Sequence, residues 1–326
     1  MKKKYKGLLV GLGNIGMGYD LHISPKDGVL SHASALKNSE RFEFLGAVDS
    51  DDSKRETFEE LYHLPAYATI EEALKEFVID VAIVATPTQL HLKSIDELTK
   101  SSLVESILCE KPISYSLVEA KKILDLCSSK NCKLYVNYMR RADPGVIGIK
   151  HFLEKNPNTL PCKGVAWYSK GLIHNGSHLV DILKLWLGDI VGYKLISKGP
   201  VNIHGKDCEP DVLIHYQDGD IVFLSCDEEH YSHHTIELIS PLGRLGYEAG
   251  GFNAYWQNIV ADKDYGSYKV LGPTKNKFDC QMNFSQLNLI NEWANCIDTS
   301  SGSLCSGEEA IKMLEYLNDI RRVSSE

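Results

Sequence analysis

Residues 11 to 16 read Gly-Leu-Gly-Asn-Ile-Gly, the pattern GxGxxG, and directly follow the apolar stretch YKGLLV. Glycines at these spacings permit a tight turn and let backbone amides approach a pyrophosphate, which then lies at the positive end of the next helix. The pattern is weak alone, but its position after a first strand makes it informative. We therefore predict that a dinucleotide binds at Gly11, Gly13, Asn14, Ile15 and Gly16; the alternative is a plain glycine turn.

Apolar runs and amphipathic segments alternate through the rest of the first half. The runs FEFLGAVDS, IDVAIVATP, LVESILCEKP and KLYVNYMRR look like strands, while segments such as SKRETFEELYHL and SLVEAKKILDLCSS have helical spacing. This alternation predicts a parallel sheet with helices on both faces. The nearly continuous run VAIVA fits a strand that is buried on both faces. We interpret residues 1–140 as an α/β dinucleotide-binding domain of the Rossmann type.

The pattern changes after about residue 140. Strand-like stretches GVAWYSK, VGYKLIS, DVLIHYQ, DIVFLSC and HTIELIS follow, with GLIHNGSHLVDILKLWLG as a helix among them. The turn QDGD at residues 217–220 joins two of these strands directly, which favours antiparallel pairing. We predict that residues 141–326 form an α+β domain on a mostly antiparallel open sheet, which binds substrate and carries the oligomer contacts.

An acid ends the second predicted strand. Asp49 stands where such domains place a carboxylate against the ribose hydroxyls. Its distance from Gly16 exceeds the usual spacing of about 20 residues, because residues 17–30 look like an inserted loop. The alternative is that Asp49 is only a turn acid at a strand end.

The residues after Asp49 bear on the choice of cofactor. They read Ser-Asp-Asp, an acidic setting that would repel a 2′-phosphate, so NAD is favoured over NADP. Lys54 or Arg55 could reverse that preference, so NADP stays open as the alternative cofactor.

Further candidate residues lie at the ends of two later strands. Lys111 follows Glu110 at the end of LVESILCEKP, on the carboxyl edge of the sheet where open α/β sheets bind ligands. Its ammonium could face a nicotinamide, or it could be an exposed charge before a proline-fixed turn. Thr86 and Pro87 end the preceding strand and are followed by His91. We assign these five residues to the wall of the cofactor site.

Charge and cysteine content narrow the class of protein. The 326 residues include 35 Lys plus Arg and 44 Asp plus Glu, giving a net charge of −9 without long like-charge blocks. That balance favours neither a nucleic-acid partner nor an anionic membrane surface. The nine cysteines form no CxxC pair, no apolar run reaches about 18 residues, and glycines interrupt the apolar run after MKKKYK. We expect a cytoplasmic chain with reduced thiols.

The motifs, taken in order, resemble a known family. VGLGNIG, AVDSD, VATPTQLH, CEKP, VNYMRR and GSHLVDILKLWLG occur between residues 7 and 188 in an order and spacing similar to those of the glucose-fructose oxidoreductase and inositol dehydrogenase family, Gfo/Idh/MocA. Each motif is modest by itself, and their order makes the resemblance strong. The resemblance implies an NAD(P)-dependent oxidoreductase. It also implies a homodimer or homotetramer assembled through the open face of the second-domain sheet.

The resemblance implies catalytic residues as well. Members pair the lysine of EKP with a histidine on the second-domain helix, and these positions correspond here to Lys111 and His178. His178 would accept a proton from a substrate hydroxyl, and Lys111 would polarise the substrate oxygen while hydride leaves to the cofactor. A zinc site needs about three or four protein ligands, whereas His174 and His178 supply two, so we predict no metal.

The neighbours of His178 are candidate substrate contacts. Asp181, one turn later, either orients His178 or complements the helix dipole. Many members carry an aspartate four residues before the histidine; this chain has His174 there, next to Asn175. These two residues either bind a carboxylate or phosphate of the substrate or form the turn that enters the helix. Arg140 could bind an anionic substrate, or it could be part of a solvated linker.

Three functions compete. The first is a dehydrogenase that acts on a secondary alcohol of a sugar, sugar acid, polyol or nucleotide sugar, and the pair Lys111 and His178 supports it. The second is an epimerase or glycosidase that uses NAD for transient oxidation. The third is a non-catalytic, NAD-responsive protein that regulates sugar use. The fold hosts more than one role, so only the site can separate them.

Overall fold

The computed structural model describes residues 3–101, 103–200, 207–226 and 231–325. The chain divides into two compact units, Met1–Ala142 with Asn283–Lys312 and Asp143–Met282 with Met313–Glu326. The expected division after residue 140 lies two positions before the first change of unit. No sequence pattern predicts that residues 283–312 belong to the first unit.

The first unit is built on a sheet that is parallel except at one edge. In the described residues its strands, numbered along the chain, are β1 (Tyr5–Val10), β2 (Phe42–Val48), β3 (Ala66–Tyr67), β4 (Val81–Val84), β5 (Ser106–Cys109), β6 (Lys133–Val136) and β15 (Cys305–Ser306). Their order across the sheet is β15-β6-β5-β4-β1-β2-β3, and only the pairing of β15 with β6 is antiparallel. The predicted parallel α/β domain is confirmed.

Helices connect these strands. They are α1 (His32–Asn38), α2 (Asp52–Tyr62), α3 (Ile70–Glu76), α4 (His91–Leu98), α5 (Leu117–Ser129), α8 (Ser285–Thr299) and the beginning of α9 (Gly307–Ser325). Polar side chains fix where several of them begin. Asp51 accepts hydrogen bonds from the backbone N–H groups of Ser53 and Lys54, and Thr69 with Glu72 forms a capping box.

Helix α8 supplies part of the core of the first unit. Trp293 is fully buried, its ring stacks on Phe42 with centroids 5.5 Å apart, and its Nε1–H donates to Ser106 Oγ at 2.9 Å. Leu289 and Ile290 are fully buried in the same hydrophobic core. The hydrophobic core of the first unit is therefore complete only when α8, which begins at residue 285, packs against β2 and β5.

The first helix of the sheet is interrupted by an insertion. The N–H of Met17 donates to the carbonyl of Gly13, which forms one helical turn directly after the glycine loop. The inserted residues then interrupt the helix, and α1 follows them. The N–H of His32 donates to the Ile15 carbonyl (3.0 Å), and the N–H of Ala33 donates to the Gly16 carbonyl (2.9 Å). These are the bonds that residues four positions later make in a continuous helix. Helix α1 thus continues the turn that the glycine loop begins.

The insertion accounts for the unusual spacing of Asp49. The step from Ile15 to His32 spans 17 positions where a continuous helix would use four, an excess of 13. Asp49 follows Gly16 by 33 positions, so the helical path between them corresponds to 20, the spacing of about 20 residues that is usual for such an acid. At its base the insertion is closed by Asp20, whose carboxylate accepts from the N–H groups of Leu30 (3.0 Å) and Ser31 (2.7 Å).

The second unit is built on a larger, mostly antiparallel sheet. Within the described ranges its strands are β7 (Cys162–Tyr168), β8 (Ile190–Ser197), β9 (Asp211–Tyr216), β10 (Gly219–Ser225), β11 (Thr235–Ser240), β12 (Gly243–Glu248), β13 (Asn253–Ala261) and β14 (Lys269–Lys277). Their order is β14-β13-β12-β11-β7-β10-β9-β8, and only β7 and β10 pair in parallel. The predicted α+β class and the β9–β10 hairpin are confirmed, whereas β12, β13 and β14 have no counterpart in the sequence analysis.

Two helices and the end of α9 accompany this sheet. They are α6 (Pro144–Lys155) and α7 (Ser177–Leu187). Trp186 of α7 donates its Nε1–H to the Val146 carbonyl of α6 at 3.0 Å. All but two of the residues of α7 are buried, so it lies inside the second unit.

The structure bears on the predictions about membrane spans and about cysteine thiols. Over the described residues, no helix combines the length and apolarity that a membrane span requires. All nine cysteines are free thiols, and seven of them are buried.

Candidate active site

The three glycines of the loop meet different demands. Gly11 has φ +104°, and a Cβ there would lie 2.6 Å from the backbone carbonyl of Ala85. A Cβ on Gly16 would overlap the carbonyl oxygen of Gly11. A Cβ on Gly13, in contrast, would meet nothing within 4 Å among the described residues. The fold requires Gly11 and Gly16, and Gly13 leaves the space that a pyrophosphate needs to reach backbone amides.

We expect Gly13→Ala to weaken NAD binding by about tenfold or more, equivalent to about 1.4 kcal/mol, without lowering the melting temperature. The added methyl group would occupy ligand space and touch no protein atom. Calorimetric titration with NADH measures the affinity. Gly192→Ala in β8 is the matched control, because a Cβ there also meets nothing within 4 Å. Unchanged NADH affinity in Gly13→Ala would contradict the assignment of this loop.

Asp49 lies beside the glycine loop, immediately after β2. Its Oδ2 accepts from the Leu12 N–H at 2.7 Å and its Oδ1 from the Asp51 N–H at 3.0 Å. The carboxylate is half-buried, so it retains lone pairs for a ribose hydroxyl. Arg55 is engaged elsewhere, because its guanidinium donates to the Asp49 carbonyl and pairs with Asp52.

A cleft of about 1010 Å³ opens at the carboxyl ends of β1, β2 and β4. The predicted cofactor residues that line it are Gly11, Gly13, Asn14, Ile15, Asp49, Thr86 and Pro87. Thr86 Oγ1 is buried and has no hydrogen-bond partner in the described part of the chain. Tyr19 of the insertion and Lys54 of α2 also line the cleft. A glycine cradle, a ribose acid and an unsatisfied hydroxyl on one cleft fit a bound dinucleotide.

Glu110 is the centre of a buried polar network beside Lys111. Its Oε1 lies 2.7 Å from His32 Nε2 and accepts from Asn137 Nδ2 at 2.5 Å, and Asn137 also donates to Gln286 Oε1 at 3.3 Å. Burial opposes the charged carboxylate, yet the hydrogen bonds from His32 and Asn137 and the charge of Lys111 are among the causes that lower the pKa of Glu110. Glu110 is therefore ionised at neutral pH, and its Oε2 accepts from the backbone N–H of Lys111 at 3.3 Å.

His91 joins two loops of the same edge. Its Nδ1 lies 3.1 Å from the Ile113 carbonyl, and its Nε2 lies 3.0 Å from the Thr86 carbonyl. Burial lowers the pKa of this imidazole, so it is neutral at physiological pH. The sequence predicts His91 and Glu110 in the cofactor wall, but neither is among the residues that line the cleft; both are buried, and their side chains contact other parts of the protein.

The predicted helix start in the second unit is a turn of π-helix, Leu172–Gly176, that runs into α7. Asp207 holds this turn: its carboxylate accepts from the N–H groups of Ile173 (3.1 Å) and His174 (2.8 Å). Burial raises the pKa of Asp207, against these backbone hydrogen bonds. The backbone of His174 is held by these bonds, and the residue is exposed.

His178 and Asp181 lie in the first turns of α7. His178 is 7% exposed and Asp181 1% exposed. Burial and the charge of Asp181 raise the pKa of Tyr216 well above its ordinary value. Asp181 is therefore a buried acid inside the second unit, and both predicted roles, orienting His178 and complementing the helix dipole, remain predictions.

The remaining candidates differ in exposure. Asn175 is half-buried within the π-helical turn, so the turn expected at this position is helical. Arg140 is buried in a short 3-10 turn after β6, and Arg141 next to it pairs with Glu309 at 3.0 Å. The alternative of a solvated linker is wrong, because both guanidinium groups belong to the first unit.

Sequence reasoning missed His32, Asn137 and Asp207. Their partners lie 78, 27 and 33 positions away along the chain, in Glu110 for the first two and in His174 for the third. Only the histidine offers a local signal, because it follows the N-cap serine of α1.

A family model covers most of the first unit. Residues 7–138 match the Gfo/Idh/MocA model, described as an oxidoreductase family with an NAD-binding Rossmann fold. The glycine cradle, Asp49 and the parallel sheet define the class of this unit, an NAD(P)-binding Rossmann domain. This domain belongs to the Gfo/Idh/MocA oxidoreductase family.

Individual relatives agree with this assignment. D-xylose 1-dehydrogenase [NADP(+)] of Haloarcula marismortui is 27% identical over 128 residues, which are 39% of this chain and 33% of that protein. The curated relatives are matched over only about a quarter to a third of their own length, 24% to 36% for three of them.

Solved structures match nearly the whole chain. Aldose-aldose oxidoreductase from Caulobacter crescentus, complexed with glycerol, has a TM-score of 0.79 at 15% identity and covers 99% of this chain and 98% of its own. The WlbA dehydrogenase from Bordetella pertussis, in complex with NADH and UDP-GlcNAcA, has a TM-score of 0.73 at 13% identity, with coverage of 99% and 97%. At such identities the likeness shows the fold of both units.

Proposed function

We propose that this protein is an NAD(P)-dependent oxidoreductase that transfers hydride between the nicotinamide and a secondary alcohol of a sugar, sugar acid, polyol or nucleotide sugar. One observation carries the proposal. The glycine cradle, Asp49 and the unsatisfied Thr86 hydroxyl share one cleft, and Lys111 follows β5, the strand next to β4. On this proposal Lys111 would act beside the nicotinamide, where a lysine can serve alcohol oxidation or ketone reduction.

Each part of the cleft has a role toward the cofactor. The backbone amides of the glycine loop would bind the pyrophosphate, Asp49 the ribose hydroxyls, and Thr86 a polar group further along the cofactor. When bound, the nicotinamide supplies the hydride acceptor or donor. The apolar side chains of Ile70 and Leu74 line the cleft beyond Asp49, as a base-binding wall would.

Lys111 and His178 are proposed to perform the acid and base steps on the substrate. The Lys111 ammonium would polarise the reacting oxygen, because the ionised Glu110 carboxylate next to it favours the charged form. His178 would hold the proton of the substrate hydroxyl at an imidazole nitrogen. Burial of His178 at the beginning of α7 supports a fixed orientation. Their joint action rests on the family resemblance and on these separate environments.

We propose NAD as the preferred cofactor and expect NADH to bind at least about tenfold more tightly than NADPH. A 2′-phosphate would meet the Asp49 carboxylate, while Arg55 is already engaged by Asp52. Fluorescence titration with each reduced cofactor measures the difference. Asp49→Ser should reduce the difference between the two affinities by weakening the binding of NADH. Lys54→Met should weaken the binding of NADPH alone. Tighter binding of NADPH by the unmodified protein would refute this preference.

His174 bears on the class of substrate. Its exposed imidazole has a backbone fixed by Asp207, so it can present a hydrogen-bond donor to a carboxylate or phosphate. The WlbA dehydrogenase was solved with UDP-GlcNAcA, and the Caulobacter enzyme is named for aldoses. We therefore place sugar acids and nucleotide sugars first among the substrates to be tested.

A substrate screen tests the proposed function. The protein is incubated with NAD or NADP and a panel of sugars, sugar acids, polyols and nucleotide sugars while nicotinamide absorbance is followed. Substrate-dependent formation of reduced cofactor supports the proposal. If product forms without any net change in absorbance, the cofactor is recycled and the epimerase or glycosidase alternative replaces the proposal. NADH binding without turnover of any member would favour a regulatory binding protein.

A further inference from the structure

His32 connects the glycine loop to the residue that precedes Lys111. It is the first residue of α1 and is fully buried. Its backbone N–H donates to the Ile15 carbonyl at 3.0 Å, and its imidazole Nε2 lies 2.7 Å from Glu110 Oε1. His32 therefore contacts the glycine loop through its backbone N–H, and through its imidazole it contacts Glu110, the residue before the proposed catalytic Lys111.

The hydrogen-bond pattern selects a protonation state for the pair. An ionised carboxylate only accepts hydrogen bonds, so His32 Nε2 must carry the hydrogen that points to Glu110. His32 Nδ1 is buried and has no partner among the residues that the structure describes. A second hydrogen on Nδ1 would be a buried donor without an acceptor, which is costly, whereas a bare lone pair costs less. The arrangement fits a neutral imidazole and an ionised Glu110.

Few other charges face this carboxylate. Cys109 precedes it in β5, and burial raises the pKa of that thiol well above its ordinary value. His91 of α4 also lies close enough to feel the charge of Glu110, and burial lowers the pKa of that imidazole. Both groups are thus uncharged at neutral pH. The Lys111 ammonium is an opposite charge that acts on the Glu110 carboxylate in the described structure.

We propose that His32 is a positioning residue for Lys111: it donates a hydrogen bond to Glu110, and the carboxylate so fixed holds Lys111 as an ammonium group in place. The proposal deepens the proposed function, on which it rests. An ammonium polarises a substrate oxygen, and a neutral amine does so far less effectively. Loss of the His32 donor leaves a buried carboxylate with fewer hydrogen bonds, which favours protonation of Glu110 and release of the Lys111 proton.

The test measures the protonation of Lys111 directly and needs no substrate. Acetic anhydride reacts with the neutral amine alone, so the pH dependence of Lys111 acetylation, read by peptide mass spectrometry, reports its protonation. At pH 8 we expect Lys111 to be acetylated about three- to tenfold faster in His32→Leu than in the unmodified protein, which corresponds to a shift of up to about one pKa unit. His32→Gln keeps an N–H donor near the position of Nε2 and should restore the original rate.

The experiment includes a reference lysine in the same protein and a second variant that alters Glu110 itself. Lys37, exposed on the same helix, should be acetylated at one rate in every variant. Glu110→Gln removes the charge itself and should accelerate Lys111 acetylation at least as much as His32→Leu. In the double variant the effects should not add, because both act through one carboxylate. If His32→Leu does not fold, the Glu110→Gln and His32→Gln arms still decide.

Two outcomes overturn the inference. One is a Lys111 profile in His32→Leu identical to that of the unmodified protein; the other is no acceleration in Glu110→Gln. NADH titration accompanies each variant, and binding in His32→Leu should stay within about threefold because the backbone bond to Ile15 remains. Failure of the substrate screen with a clear acetylation shift would refute the proposed function and leave the His32 role intact. Turnover with unchanged acetylation would refute only the His32 role.

Discussion

Lys111→Met will reduce kcat about 10³-fold on whichever substrate the screen identifies, while the affinity for NADH changes little. The substitution keeps the length of the side chain and removes the charge that polarises the reacting oxygen, and loss of such a group typically costs about 10²- to 10⁴-fold. Steady-state kinetics and NADH titration on the same preparation separate the two effects. Lys37→Met is the control, because Lys37 is an exposed lysine of α1 with no proposed role.

His178→Ala should lower kcat by a similar factor, and the double variant should be little worse than either single one. Groups that act in one step are strongly non-additive, because removal of either already abolishes that step. His174→Ala serves as a contrast, with an expected rise in KM and a smaller change in kcat. Full activity in both Lys111→Met and His178→Ala would refute the catalytic assignment, whatever the cofactor result.

Trp293→Ala will lower the free energy of unfolding of the first unit by about 3–5 kcal/mol. The indole is fully buried, stacks on Phe42 and donates to Ser106, so the variant loses packing and opens a cavity at once. Hydrogen exchange read by mass spectrometry is the measurement. Amides of β2 and β5 should lose protection, and those of β9 and β10 should keep it.

Trp186→Ala is the matched control for that experiment. It removes a buried tryptophan of α7 whose Nε1–H donates to the Val146 carbonyl at 3.0 Å. The pattern should reverse, with protection lost in β9 and β10 and retained in β2 and β5. Equal loss of protection in both sheets from Trp293→Ala would contradict the assignment of α8 to the first unit.

The features that sequence predicts here are those encoded by neighbouring residues. The glycine loop, the strand–helix alternation and the acid after β2 are local patterns, and the parallel sheet confirms the alternation. The misfit in the spacing of Asp49 is attributed correctly to an insertion, but sequence alone does not show that α1 resumes the helix of the glycine loop. That continuity depends on two backbone bonds, from His32 and Ala33, across the inserted residues.

Contacts between distant segments account for the rest. Nothing near Glu110 in the sequence indicates that a histidine 78 positions earlier binds it. Helix α8 looks like any amphipathic helix, and only the burial of Trp293 against β2 reveals which sheet it covers. Strand β12 contains two glycines and β14 three lysines, a glycine and a proline, so intrinsic preference does not reveal these two strands and their pairing follows from neighbouring strands.

The interrupted first helix also has a practical meaning. The bonds from α1 to Ile15 and Gly16 restore the helical register after the insertion. The length of the inserted segment can therefore change without altering the position of α1. Asp20 closes its base, its exposed tip at residues 21–27 makes few structural demands, and Tyr19 brings one end of it to the cofactor cleft. A peptide inserted at that tip would lie near the cofactor cleft. This position therefore suits the insertion of sequences that respond to cofactor binding or that change specificity.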